Sequence, residues 1–419
     1  MPPAFYYKDN RLYCEQTDLQ RFAEEHATPF YLYSTKEITA NCRLVQTIGK
    51  PYDFLPCFAL KANYNPTLLK LIRDLGFGAD VVSGGELQAA LKLGFAPEKI
   101  VFAGVGKTAE ELELAIRTGI FSINIESLPE FHMAAALAEK RGKKTRIAIR
   151  INPDIDAHTH SYISTGKHIN KFGVTPEVAL QLFELAGQNP WLEADGLHLH
   201  IGSQITDAEP FRQAVQFVHN FLARLRQKGI HVNHLDLGGG IGVNYHNNFH
   251  NDEPTTYLQD ILPRYLEGFK KLKIKLVVEL GRSIIAAAGL LIIKAIYNKE
   301  SAGKNFLIVD AAMNNLLRPS LYQAHHEIVP LTLDKRPQVI YDVVGPVCES
   351  GDFLAKDRPL MRIDAGEFIA VAAAGAYGQS LSSNYNLRPR IAEYLVNGET
   401  VQTIFKRQTI DDIMNAYEL

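Results

Sequence analysis

The sequence predicts an α/β protein, a (β/α)8 TIM-like barrel followed by a mainly β C-terminal domain, and three observations carry that prediction. Short β-branched runs alternate with amphipathic stretches of helical length over about two-thirds of the chain, the pattern of βα units around a parallel sheet. Eight such runs can be counted, the number that closes a barrel. Beyond Arg282 the texture changes to strand-like runs with few helical patterns between them.

In chain order the eight runs are 53–60, 78–82, 99–103, 121–125, 145–151, 194–200, 232–237 and 275–280. Helical patterns follow most of them, for example 66–75 and 86–93, the second stopped by Gly94. An open doubly wound sheet would show the same alternation and is the competing topology. The later strand-like runs are 290–297, 305–309, 338–344 and 367–373. The apolar run 284–293 is about half the roughly 20 residues a membrane helix needs, so it reads as a buried strand. These runs place the barrel at 29–283. Residues 1–28, which lack a complete βα unit, join 284–419 in the β domain. The polar stretch 154–171 is long for a βα loop and is therefore a candidate for function.

Composition narrows the classes of partner. With 46% apolar and 21% charged residues and a formal charge of −2, the chain is of globular type and has no electrostatic reason to bind nucleic acid or an anionic membrane. Small molecules and a second copy of itself are the expected partners. Cys14, Cys42, Cys57 and Cys348 are far apart with no CxxC pair, which argues against a zinc ribbon or a disulfide framework and fits a reducing cytoplasm. The first residues lack a basic start followed by an apolar core, so no secretory signal is expected.

Polar residues cluster at the carboxyl ends of the predicted strands, where a barrel builds its active site. Lys61 follows the first strand, Arg150 nearly ends the fifth, His200 ends the sixth, Gly238 to Gly240 follow the seventh and Glu279 nearly ends the eighth. Lys61 stands in an apolar run that would bury the start of its side chain and favour its amine as a nucleophile; a snorkelling lysine is the bland alternative. In 235–242 the missing side chains let backbone N–H groups close on a phosphate. A dinucleotide fingerprint fails there, because Tyr245 stands where its last glycine would fall. A turn with only structural glycines remains open.

Glu279 follows buried strand residues, so its ionisation requires a facing cation or donor. A protonated ring nitrogen would serve, and so would a salt bridge to Arg282 or a lysine. His198 and His200 alternate along a strand and could ligate a metal. A flat imidazole against a cofactor ring, with Ser203 reaching its phosphate, explains His200 equally, and a core histidine explains His198. Cys348 beside Glu349, in a loop bounded by glycine and proline, is either a proton donor or an inert thiol.

Taken in order, FALKAN (58–63), GADVVSGGEL (78–87), HTHSYISTG (158–166) with KFG (171–173), HLHIGSQ (198–204), LDLGGGIG (235–242), ELGRS (279–283), GPVCESGD (345–352) and GAYG (375–378) resemble the alanine-racemase-like, fold-type III pyridoxal-phosphate decarboxylases, and within them the diaminopimelate decarboxylases. The resemblance covers about residues 29–377. It implies a pyridoxal 5'-phosphate enzyme that works as a homodimer with active sites at the subunit interface. It also implies decarboxylation of meso-2,6-diaminopimelate to L-lysine and CO2 at the D-configured centre. By that resemblance Lys61 carries the cofactor as a Schiff base, His200 stacks on its ring, Glu279 faces its nitrogen and Arg150 supports His200. Ser203, Gly239, Gly240, Gly281 and Arg282 surround the phosphate, with Tyr377 contacting it or the ring. Arg282, Arg318 and Tyr322 hold the distal carboxylate and Glu349 the amine, while Cys348 protonates the carbanion, both of these last acting from the partner subunit. The family's usual Glu-Pro-Gly-Arg reads Glu279-Leu280-Gly281-Arg282 here, which removes proline's fixed φ from the phosphate loop.

Sibling decarboxylases acting on carboxynorspermidine, D-lysine or D-ornithine would share the cofactor residues; Arg318, Tyr322 and the Cys348–Glu349 pair discriminate against them. A non-catalytic carrier of the same cofactor would resemble the barrel alone. A metal-dependent barrel hydrolase using His198 and His200 is the third alternative.

Overall fold

The computed structural model describes residues 3–156, 171–246, 249 and 255–418. The chain divides into two compact units. One comprises Cys42–Gly242 and Thr256–Ser283, the other Met1–Asn41, Val243–Thr255 and Ile284–Leu419.

The first unit is a closed parallel barrel. Its strands are β1 (Phe54–Ala59), β2 (Gly78–Val81), β3 (Ile100–Phe102), β4 (Ser122–Ile125), β5 (Thr145–Arg150), β6 (Leu192–His198), β7 (His234–Asp236) and β8 (Lys275–Leu280). They pair in chain order and β8 closes on β1, placing Glu279 beside Cys57 and Leu280 beside Phe58. Closure rules out the open doubly wound sheet. The turn from strand to helix is set by side-chain caps. Asn65, Ser83, Thr108, Ser127 and Thr175 each accept a backbone N–H of the helix they precede, satisfying donors that the helix itself leaves unpaired. Leu55, Cys57, Val101, Phe121 and Val277 form one buried cluster of barrel side chains.

Most of the observed strands, β1 among them, are shorter than the apolar runs that predicted them, and β6 is shifted two residues toward the N-terminus. Lys61 therefore lies in a 3-10 turn, Leu60–Ala62, just past β1. His200 stands two residues beyond the end of β6 rather than at it.

The second unit is mainly β. A nine-stranded sheet is accompanied by a three-stranded one made of Phe5–Lys8, Arg11–Cys14 and Thr17–Asp18. The strand Phe30–Ser34 runs antiparallel to Gly289–Ser301 and parallel to Ala392–Asn397. Residues 30–41 thus lie in the β unit, and the barrel unit begins at Cys42 rather than at residue 29. All five side chains of Phe30–Ser34 are buried, so the strand shows no alternation by which a two-layer sheet could be told from a barrel. Phe5, Leu12, Leu19, Phe22, Leu32 and Ile292 share its core.

The run 284–293 is not one strand. Arg282–Ile285 is a helical turn and the strand starts at Gly289. Ile284, Ile285, Ala286 and Ala288 are all buried, so the apolar composition reported burial and not conformation. No helix among the described residues is long and apolar enough to cross a membrane.

Candidate active site

Around Lys61 the sequence supplies Phe58, Ala59, Leu60 and Ala62, all buried, which fix the turn while the amine emerges from it. Lys61 Nζ donates to Asp80 Oδ2 at 2.6 Å. Asp80, on the neighbouring β2, has no exposed side-chain surface. Its carboxyl is pushed up to about 7, by burial first and the charge of Glu279 second, with Lys61 pulling the other way. Asp80 has no role in the reading of the sequence; an acid between Ala79 and Val81 in a buried strand was the available signal.

Glu279 is buried on β8 and faces two imidazoles, His198 Nε2 at 3.4 Å and His200 Nδ1 at 3.9 Å. The groups that face it are these histidines rather than Arg282, whose Nη2 donates to Ser203 Oγ at 3.1 Å. Burial alone would raise the Glu279 pKa, but His198, Lys61 and His200 outweigh it and hold the carboxylate below its usual range. Glu279 is therefore an anion at neutral pH.

His200 accepts the Gly239 N–H on Nδ1 at 3.1 Å. Burial, then the positive charge of Arg150, lowers its pKa to about 3, so the ring is neutral and carries its proton on Nε2. Arg150 hydrogen-bonds not His200 but Glu126, Nη1 to Oε1 at 2.7 Å. Its support of His200 is electrostatic. His198 is fully buried, and its nearest acids are Glu279 and Asp236, the three offering donor atoms within 4.8 Å of one another. Asp236 is committed elsewhere, accepting from Asn124 Nδ2 at 3.0 Å and Gly238 N at 3.1 Å. The alternative in which His198 and His200 pair as metal ligands gains no support from this geometry, since the atoms gathered around His198 are those of Asp236 and Glu279 and not those of His200.

The glycine turn is dictated by packing. A Cβ at Gly239 would lie 1.9 Å from the Glu279 carbonyl oxygen, and one at Gly240, where φ is +97°, 2.3 Å from that of Gly202. Gly281 lies against the Lys61 turn, where a Cβ would approach Ala62 Cβ to 2.9 Å. Close backbone approach therefore explains these glycines before any ligand is invoked. The same closeness brings Lys61 near enough to Glu279 for its charge to act on the carboxylate.

The remaining predicted residues belong to the β unit. Arg318 and Tyr322 begin and end the helix Arg318–Tyr322, the arginine buried and donating to His326 Nε2 at 2.7 Å. Cys348 and Glu349 are exposed. The Cys348 N–H donates to Asn386 Oδ1 at 2.8 Å, and Tyr385 Oη donates to Glu349 at 3.3 Å. Asp352 ties their loop down by accepting from Val347 N and Met313 N at 2.7 and 2.6 Å. Tyr377 has a left-handed backbone, φ +56°. The motif at 158–166 and most of the 154–171 stretch lie outside the described residues.

Pyridoxal phosphate presents an aldehyde, a ring nitrogen and a phosphate, and the barrel holds a counterpart for each. Lys61 offers an amine, Glu279 a buried anion whose Oε1 has no hydrogen-bond partner among the described residues, and Ser203, Arg282 and the glycine turn offer donors. The donor set fits the group.

Residues 35–286 match the family model described as pyridoxal-dependent decarboxylase, pyridoxal binding domain. The diaminopimelate decarboxylase of Aquifex aeolicus is 46% identical over 413 residues, covering 98% of this chain and 97% of that protein. The structure of diaminopimelate decarboxylase from Helicobacter pylori complexed with L-lysine superposes with a TM-score of 0.90 at 43% identity, covering 95% of this chain and 99% of that one. That of the M. jannaschii enzyme in complex with L-lysine gives 0.92 at 33% identity over 99% and 98%. Likeness in sequence and in fold thus extends through both units, and the chain belongs to the pyridoxal-dependent decarboxylases, within the diaminopimelate decarboxylase family.

Proposed function

We propose that this enzyme removes the carboxyl group at the D-configured centre of meso-2,6-diaminopimelate, releasing CO2 and L-lysine, the last step of lysine biosynthesis, in the cytoplasm. The observation that carries the proposal is the buried, ionised Glu279 set beside the Lys61 turn by the packing of Gly281 on Ala62. Bound pyridoxal phosphate supplies an electron sink for the pair left behind when CO2 departs.

The chain's own residues do the rest. Lys61 would hold the cofactor through its amine, which the Leu60–Ala62 turn presents beside Asp80. Glu279, as an anion, keeps a ring nitrogen protonated. His200, neutral across the working pH range, would offer the ring an uncharged aromatic face without competing for that proton. Ser203, Gly239, Gly240, Gly281 and Arg282 would hold the cofactor's phosphate, and by the family likeness Tyr377 would contact the phosphate or the ring.

Arg318, Tyr322 and Arg282 take the carboxylate that is not lost, since a guanidinium recognises a carboxylate through paired, charge-assisted hydrogen bonds. The molecule acts as a homodimer in which Glu349 of the partner subunit takes the distal amine. Cys348 of the partner subunit delivers the proton that replaces the lost carboxylate. Its exposure and its hydrogen-bonded backbone support that role.

The test is CO2 release by the protein supplied with pyridoxal phosphate, comparing meso-diaminopimelate with L-lysine, L-ornithine, D-lysine and carboxynorspermidine. Strong preference for meso-diaminopimelate is expected, and Lys61→Ala should abolish turnover. Preference for a substrate lacking a distal carboxylate would overturn the substrate, and CO2 from none would overturn the activity.

A further inference from the structure

Arg318 is one of the few fully charged side chains buried in the β unit, 4% exposed, and a buried guanidinium demands partners. Its surroundings hold it on two sides. Nη1 donates to His326 Nε2 at 2.7 Å. The guanidinium carbon lies 4.4 Å from the centre of the Tyr245 ring, within cation–π range. Tyr245 in turn meets the His326 ring edge-on, centroids 5.0 Å apart at 73°. Arginine, tyrosine and histidine thus close a triangle.

The histidine is itself fixed. His326 has no exposed surface, and its Nδ1 lies 2.8 Å from the Ala372 carbonyl oxygen. A carbonyl can only accept, so Nδ1 carries the proton and Nε2 is left as the acceptor that the arginine needs. The ring is therefore neutral in a single tautomer. Arg358 holds its backbone, Nη1 donating to the His326 carbonyl at 2.6 Å, while Nη2 lies 3.0 Å from His325 Nδ1. His325 stacks on His246 at 3.9 Å. Tyr245 and His246 come from Val243–Thr255, the short segment that groups with the β unit although it lies between barrel segments in sequence.

We infer that Tyr245 and His326 are positioning residues that set the plane of the Arg318 guanidinium and so determine preference for a substrate carrying a second carboxylate. The inference rests on the proposed role of Arg318. Two-point recognition of a carboxylate needs the guanidinium fork in a defined plane. A face laid on Tyr245 and one N–H given to His326 restrain both its rotation and its translation, so less freedom is lost when a carboxylate arrives.

The test uses holoenzyme and two competitive ligands of equal length, L-lysine, which keeps the distal carboxylate, and 1,5-diaminopentane, which lacks it. Inhibition constants against meso-diaminopimelate are measured for Tyr245→Leu, His326→Leu and Arg318→Ala, with KM and kcat. Tyr245→Leu and His326→Leu should each weaken L-lysine and raise KM by about 10-fold or more, the scale of a displaced charge-assisted hydrogen bond. Binding of 1,5-diaminopentane should stay within about 2-fold, because it makes no use of the guanidinium.

Tyr245→Phe keeps the ring face, and His326→Gln keeps one donor and one acceptor. Both fold with minimal change of volume and should retain most of the wild-type discrimination. Equal weakening of both ligands, or His326→Gln behaving like His326→Leu, would overturn the inference. Loss of discrimination in Arg318→Ala but not in the Leu variants would overturn it while leaving the role of Arg318 standing. Unchanged discrimination in Arg318→Ala would overturn that role, and the inference with it.

Discussion

Asp80 shows how one buried carboxyl makes stability depend on pH. In the folded apoprotein it keeps its proton up to about pH 7, whereas an unfolded chain releases it near pH 3.9, roughly the model-peptide value. Its contribution to stability is therefore fully present below about pH 4 and is lost as pH rises through 7. Asp80→Asn has no such dependence. The melting temperature of the cofactor-free variant, relative to wild type, should climb by several degrees between about pH 4 and 7; thermal unfolding across that range checks it, and a constant difference would mean that Asp80 titrates normally. Asp80 was invisible in the sequence for the same reason that Asp236 was. Each is one acid between apolar neighbours in a buried strand, and neither falls at a spacing that names a chemistry. Lys61, Glu279 and the glycines were legible because their positions at strand ends coincide. The guanidinium support from Tyr245 was hidden differently: in the sequence Tyr245 only marked where a dinucleotide motif fails.

The barrel strands were the readable ones, whereas Phe30–Ser34 and Ala392–Asn397 of the β unit, each paired on both sides, were not. All eight barrel strands lie within or beside the apolar runs, because parallel strands buried on both faces are apolar throughout. In the β unit, Phe353–Met361 and Thr400–Phe405 went unseen. They end the main path of the sheet, and their side chains are largely exposed or half-buried, so neither a run nor an alternation marks them. The glycine turn after β7 is where an element-scale test has most force. Gly239→Ala would drive a methyl group to 1.9 Å from the Glu279 carbonyl oxygen, so β8 must shift and carry Glu279 with it. Gly106→Ala, a loop position with nothing within 4 Å of the added carbon, is the matched control. Denaturant unfolding should show Gly239→Ala destabilised by roughly 2 kcal/mol or more and Gly106→Ala by under about 0.5 kcal/mol. Gly239→Ala should also lose cofactor on dialysis. Equal stability of the two would mean that the turn yields without disturbing β8.

At the scale of the whole molecule, a single chain carries no spacing or periodicity that announces a second copy, and the expectation of a dimer came from family resemblance. The sequence does place a thiol and a carboxylate in one exposed loop, Cys348 and Glu349, anchored from beneath by Asp352. Sites shared between two subunits, as proposed, would make a quantitative demand on mixtures. In such a dimer Lys61→Ala would spoil the site built on its own barrel, and Cys348→Ala the site built on its partner's barrel. In a heterodimer of the two, one site receives both defects and the other receives none. Random reassortment of equal amounts puts half the chains into heterodimers, each with one intact site of two, so roughly a quarter of wild-type turnover should return. The variants are mixed, dissociated by dilution in mild denaturant, reassociated with pyridoxal phosphate and assayed for CO2 release. If each site were instead completed within one chain, neither defect could be relieved by the other. Turnover would then stay at the sum of the two separate variants however the subunits were exchanged.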